Sequence, residues 1–98
     1  MEKFILVVGL NDASTKKQEV TNEQAREIVM NTCGDCSIQE LFGAYTHEDG
    51  TKVRENSLRV ELYFKEDAEV RLMAQELKKR LNQESIIFSK EIVNSELI

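Results

Sequence analysis

The sequence predicts an α+β fold built as strand, helix, strand, strand, helix, strand. Three observations predict it. Two stretches carry apolar residues at helical spacing. Two stretches in the middle alternate apolar and polar residues around a glycine-containing turn. Two short β-rich segments lie at the ends. The chain has 98 residues, 41% of them hydrophobic and 32% charged, so residues 1–98 are expected to form a single domain with one core.

The first strand is the apolar run from Phe4 to Leu10, as expected for a central strand covered on at least one face. Asn11 to Val20 is polar and reads as a loop. Thr21 and Gln24 have capping-box spacing, with Thr21 as N-cap. Ala25, Ile28, Val29 and Thr32 then mark one face of a helix over Asn22–Thr32. Gly34 is a natural stop, because glycine accepts the left-handed backbone after a last turn.

The middle reads as a β-hairpin. Ile38, Phe42 and Ala44 alternate on one strand, and Leu58, Val60, Leu62 and Phe64 on the other. A two-residue Asp49-Gly50 turn would pair even positions with odd ones and split the core. A three-residue loop, Glu48-Asp49-Gly50, with Gly50 left-handed, pairs even with even and is the expected form. Glu40 then falls on the apolar face, which suggests a bulge.

The second helix is expected over Asp67–Asn82, with Val70, Met73, Ala74, Leu77 and Leu81 as its stripe. Acidic residues crowd its start and basic ones its end, matching the helix dipole. Ile86 to Val93 reads as the last strand and Asn94 to Ile98 as a tail. The order βαββαβ is the ferredoxin-like arrangement, with an antiparallel sheet in order 4-1-3-2 and both helices on one face.

Charge and composition exclude some functions. The net charge is −5 and the basic residues are scattered, so no nucleic-acid partner is expected. Lys78, Lys79 and Arg80 suit the negative end of a helix. No apolar run approaches the ~20 residues of a membrane span, and no leader is recognisable, so no membrane partner and a cytoplasmic location are expected. Gly9 stands alone rather than in a phosphate-cradling loop, and no cofactor is expected. Cys33-Gly34-Asp35-Cys36 has redox spacing, but it follows a helix C-terminus and encloses an aspartate. Both features disfavour thiolate. With the single His47 these cysteines fall short of a four-ligand zinc set, so no metal site is expected within one chain.

The expected strand order brings polar residues to one end of the sheet. Asn11, Tyr45, Arg54, Glu55, Glu84 and Ser85 form the candidate ligand site. Arg54 is the expected anion contact, because its fork matches a carboxylate or phosphate. His47 stands at the rim as the candidate general base, oriented by a carboxylate. On the opposite sheet face, Ile5, Val7, Leu41 and Tyr63 are too apolar for a solvated surface, unless the tail with Leu97 and Ile98 covers them. They suggest an interface, and hence a homodimer or a small protein partner. The expected function is a non-enzymatic interaction or regulatory module. The alternative is a small-molecule binder or a cofactor-free enzyme using the polar cleft.

The hairpin from Gly43 to Ser57 and the segment from Lys78 to Ile86 resemble a family of small uncharacterised bacterial proteins. That family has a hairpin with a glycine tip, then Arg-Glu-x-Ser, then Gln-Glu-Ser after a basic helix end. The matching residues are Gly43, Gly50, Arg54, Glu55, Ser57, Gln83, Glu84 and Ser85, and Tyr45 stands where an aromatic precedes the turn. The resemblance implies a ferredoxin-like fold and a shared site, not a particular reaction.

Overall fold

The computed structural model covers Met1–Ile98. Its elements are β1 (Glu2–Gly9), α1 (Asn22–Cys33), β2 (Ser37–Thr46), β3 (Lys52–Tyr63), α2 (Asp67–Arg80) and β4 (Ile87–Ile92). The four strands form one antiparallel sheet in the order β2-β3-β1-β4, the ferredoxin-like topology. No helix is long and apolar enough to cross a membrane.

Strand alternation builds the core. Phe4, Leu6 and Val8 of β1 lie opposite Leu62, Val60 and Leu58 of β3, and all six are fully buried. Ala25, Val29 and Cys33 of α1, with Val70, Leu77 and Leu81 of α2 and its end, complete the same cluster. Both helices therefore cover one sheet face. Ile28, Met73 and Ala74 pack against the cluster's edge. Fully burying one such aliphatic side chain contributes about 1.5–3 kcal/mol.

The helix ends follow the local sequence. Gln24 N donates to Thr21 Oγ1 at 3.0 Å, and Thr21 N donates to Gln24 Oε1 at 2.9 Å, which is the expected capping box. The second helix stops two residues earlier than expected. Asn82 has a φ of 45°, its N–H donates to Lys79 O, and Gln83 N–H donates to Lys78 O. This Schellman pattern uses asparagine's tolerance of the left-handed region. It turns the chain sharply before Gln83 and Glu84.

The hairpin has the expected register. Thr46 pairs with Lys52, His47 N donates to Thr51 O, and Gly50 has a φ of 86°. Three of the sequence expectations for its apolar face need correction. Glu40 causes no bulge: it pairs with Leu58 in unbroken register, and its carboxylate binds Arg26 of α1. Phe42 is 69% exposed and Ala44 is exposed too, because this half of the hairpin runs past the helices. Phe64 is exposed as well, since its positive φ turns it off the end of β3.

Cys33 is buried against the core and Cys36 is half-buried, and both are free. Burial, with a smaller repulsion from Cys36, pushes the Cys33 thiol up to about 11. Burial also raises Cys36. Thiols held neutral in this way are poor nucleophiles. In the unfolded chain Cys33 ionises near pH 9, so its burial stabilises the fold fully below that pH. That contribution is lost as pH rises from about 9 through about 11. Cys33→Ala should flatten this alkaline decline by roughly 2–3 kcal/mol, measured as wild type against variant in urea titrations at several pH values.

Candidate functional site

Odd-numbered residues of β1 and β3 face away from the helices. At one end of this open face lies a cleft of about 550 Å³, bounded by the Asn11–Val20 loop, the β2–β3 hairpin and the segment before β4. Val7 and Gly9 of β1, Gly43 and Tyr45 of β2, and Val53, Glu55 and Ser57 of β3 line it. Gln83, Glu84 and Ser85 come from beyond α2.

Glu55 is the centre of this arrangement. Its register partner is Gly43, so no side chain from β2 crowds it. Its carboxylate lies directly over Gly9. A Cβ built on Gly9 would stand 2.6 Å from Glu55 Oε2, a distance no real contact allows. Asn11 N donates to the same Oε2 at 2.9 Å. Glu55 is half-buried and forms no ion pair. The cleft thus holds a fixed carboxylate with no counter-charge in contact.

Tyr45 stands beside it. Burial, then the negative charge of Glu55, raises its phenol above the usual range; Glu84 adds to this and Lys16 opposes it. Tyr45 therefore stays protonated at neutral pH and keeps a hydrogen to donate. His47 lies at the rim, edge-on to the Tyr45 ring with centroids 5.3 Å apart. Its imidazole hydrogen-bonds no carboxylate, so the orientation expected of a general base is absent.

The Asn11–Val20 loop is a folded wall. Asn11 bridges to Gln18, and Asp12 N donates to Lys17 O at 2.8 Å. Asp12 Oδ1 accepts from Ser14 N and Thr15 N, and these amides hold its carboxyl below the usual carboxylate range. Gln83 Nε2 reaches Asn11 O at 2.8 Å and ties the wall to the end of α2. Lys16 Nζ meets Glu84 Oε1 at 3.2 Å.

Asn11, Tyr45, Glu55, Glu84 and Ser85 are thus brought together, with His47 at the rim. Arg54 is not. Adjacent strand residues face opposite ways, so Arg54 turns to the helix side while Glu55 enters the cleft. Only its carbonyl takes part, accepting from Asn11 Nδ2 at 3.3 Å. The cation on the cleft is Lys16, which the sequence did not single out. Gly9 was missed too, although a lone glycine inside a strand signals a close approach. Of the two short motifs, Glu55, Ser57, Gln83, Glu84 and Ser85 all line the cleft.

The expected interface face is also altered. Ile5 is only 7% exposed, held between Glu61 and Ser89 on the neighbouring strands, so it is not free surface. Val7 lies in the cleft, Leu41 is half-buried, and Tyr63 is 37% exposed with Lys3 near its ring. The tail does not cover this face, since Leu97 and Ile98 are exposed.

No family model matches the chain. No curated protein matches it in sequence. Solved structures do match it in fold. A phage SAM lyase in its apo state superposes with a TM-score of 0.75 at 24% identity, over 92% of this chain and 78% of that one. A phage SAM lyase in complex with S-methyl-5'-thioadenosine gives 0.66 at 22% identity, over 92% and 79%. The periplasmic divalent cation tolerance protein CutA from Archaeoglobus fulgidus gives 0.61 at 13% identity, over 99% and 88%. A DUF3240 family protein from Shewanella baltica gives 0.53 at 8% identity, over 99% and 97%. The chain is a small ferredoxin-like α+β domain with neighbours of these kinds.

Proposed function

We propose that residues 1–98 act as one domain that binds an adenosyl sulfonium of the S-adenosylmethionine type in the cleft. We propose further that it cleaves a carbon–sulfur bond there, releasing S-methyl-5'-thioadenosine. The observation that carries this reading is Glu55. It is a half-buried carboxylate, fixed by Asn11 and the bare backbone of Gly9, with no ion pair of its own. Such a group favours a cationic ligand, and a sulfonium is a permanent cation that cannot escape by losing a proton. The Tyr45 ring adds an aromatic surface beside it, which also suits a cation.

The fold neighbours supply the ligand class. Two of them are SAM lyases, one holding the thioether product of such a cleavage. The chemistry asks little of acid or base. Breaking the carbon–sulfur bond returns its electron pair to sulfur and frees a neutral thioether, while an oxygen of the substrate's own carboxylate closes on the carbon that sulfur leaves, forming a lactone with no proton transferred. What the protein must supply is orientation and a low-dielectric site for the reacting cation. This moves the site residues Asn11, Tyr45, Glu55, Glu84 and Ser85 from an interaction module to a small-molecule site without a bound cofactor. A metabolite of this kind accords with the cytoplasmic location proposed for the chain.

The test is direct. Purified protein mixed with S-adenosylmethionine should form S-methyl-5'-thioadenosine in step with substrate loss, read by liquid chromatography and mass spectrometry. Slow formation at the uncatalysed rate, together with no calorimetric binding of either compound, refutes the reading.

A second reading, self-association, is favoured by the hairpin. Phe42 is 69% exposed on β2, an edge strand whose outer backbone groups have no partner. A second copy covering this edge would bury both. Light scattering should give a mass above one chain, and Phe42→Asp should shift it toward the monomer. A monomeric wild type at working concentration rules this out.

A further inference from the structure

We infer that Lys16 and Glu84 form the subsite for the amino-acid end of the substrate, Lys16 taking its α-carboxylate and Glu84 its α-ammonium; this rests on the adenosyl-sulfonium reading above. The two side chains form an ion pair at 3.2 Å on the cleft wall. A zwitterionic amino-acid group carries the same two charges at similar spacing, so it can lie alongside the pair and satisfy both partners. The pair is exposed, 65% at Lys16 and 76% at Glu84, and exposed ion pairs are weak and exchange partners readily. No other lysine or arginine lines the cleft, so Lys16 is its one fixed cation.

The backbone holds this pair in place. Lys16 sits at a φ of 64°, with its N–H on Asp12 O at 2.8 Å. Asn82 then ties the loop to the start of the Glu84 segment. Its Nδ2 donates to Asp12 Oδ1 at 2.9 Å and to Ser14 Oγ at 3.0 Å, and its carbonyl accepts from Ala13 N at 2.8 Å. One asparagine therefore sets the spacing between the two halves of the subsite. A site organised before binding loses less entropy when the ligand arrives.

Charge balance points the same way. Asp12, held by backbone amides, keeps its negative charge. With Glu55 and Glu84 against Lys16, the cleft lining carries two negative charges in excess. The substrate, with a sulfonium, an ammonium and a carboxylate, has one positive charge in excess. Glu55 faces the sulfonium, and the Lys16–Glu84 pair faces the rest.

Two probes separate these roles. S-adenosylhomocysteine keeps the amino-acid end but lacks the sulfonium charge. S-methyl-5'-thioadenosine lacks both. Calorimetric dissociation constants should be measured for each with the wild type, Lys16→Gln, Lys16→Arg and Glu84→Gln. Lys16→Gln and Glu84→Gln should each weaken S-adenosylhomocysteine about fivefold or more, and change S-methyl-5'-thioadenosine by less than about twofold. Lys16→Arg should restore most of the loss, because the positive charge remains. Equal effects on both probes, or no effect on S-adenosylhomocysteine, overturn the subsite and leave the adenosyl site standing. A wild type that binds neither probe overturns the subsite, and overturns the adenosyl site as well if it forms no S-methyl-5'-thioadenosine from S-adenosylmethionine.

Discussion

Under the proposed carbon–sulfur cleavage, Glu55→Gln is expected to lower turnover of S-adenosylmethionine by at least about 100-fold, with little change in folding stability. The size follows from the loss of a preorganised charge in a partly desolvated site, where one such group commonly carries a factor of about 10²–10³. The small structural cost follows from geometry. Glutamine keeps a carbonyl oxygen for Asn11 N and has the length and shape of glutamate, so the contact over Gly9 survives. Gly9→Ala tests the same point from below. Its new Cβ would meet the carboxylate at 2.6 Å, and the end of a flexible side chain yields before the sheet does. The carboxylate should swing away, release Asn11 N at a cost of about 1 kcal/mol, and carry turnover down with it. The measurement is initial rate beside a thermal melt. A Glu55→Gln protein with wild-type turnover would remove the carboxylate from the chemistry.

That pairing of residues 9 and 55 shows where sequence reading stops. Alternation in β1 and β3 places Phe4, Leu6, Val8, Leu58, Val60 and Leu62 on one face because the strand period is two and the pattern is strong. The same period separates Arg54 from Glu55, and grouping them by position at the strand end overlooked it. Alternation also says which face Phe42 and Ala44 take, but not how far the helices extend over that face. Their exposure depends on helix placement, which is a tertiary matter.

Contacts between distant residues were the least legible. Lys16 meets Glu84 across 68 positions of chain, and nothing near either residue announces the other. Glu40 suggested a bulge because its partner Arg26 lies on another element. The turn at Asn82 carries a local signal, since asparagine after a basic helix end favours a left-handed cap, and that cap stops the helix short of the span its apolar stripe predicts. The hairpin tip was legible for the opposite reason. A three-residue loop keeps both apolar sets together where a two-residue one would split them, and Gly50 suits its positive φ.

Leu77→Ala should destabilise the protein by about 2–5 kcal/mol, enough to consume much of the stability of a domain this small. Leu77 is fully buried and lies one turn from Met73 and Ala74 on the stripe that faces the sheet. Truncation removes transfer free energy and leaves a cavity that the neighbours cannot fill. They cannot fill it because the surrounding core is held on both sides: Val29 and Ala25 come from α1, and Leu6, Val60 and Leu62 from strands locked in register. The turn just beyond this helix carries Asn82, whose hydrogen bonds fix the cleft wall. Loosening α2 should therefore weaken ligand binding as temperature rises, before global unfolding is complete. Leu72→Ala is the control, because Leu72 lies on the same helix but is 72% exposed and should cost less than about 0.5 kcal/mol. Urea titrations of both variants measure the difference. Equal costs for Leu72 and Leu77 would mean that α2 does not pack on the sheet through the stripe described, and both the fold and the cleft wall would have to be redrawn.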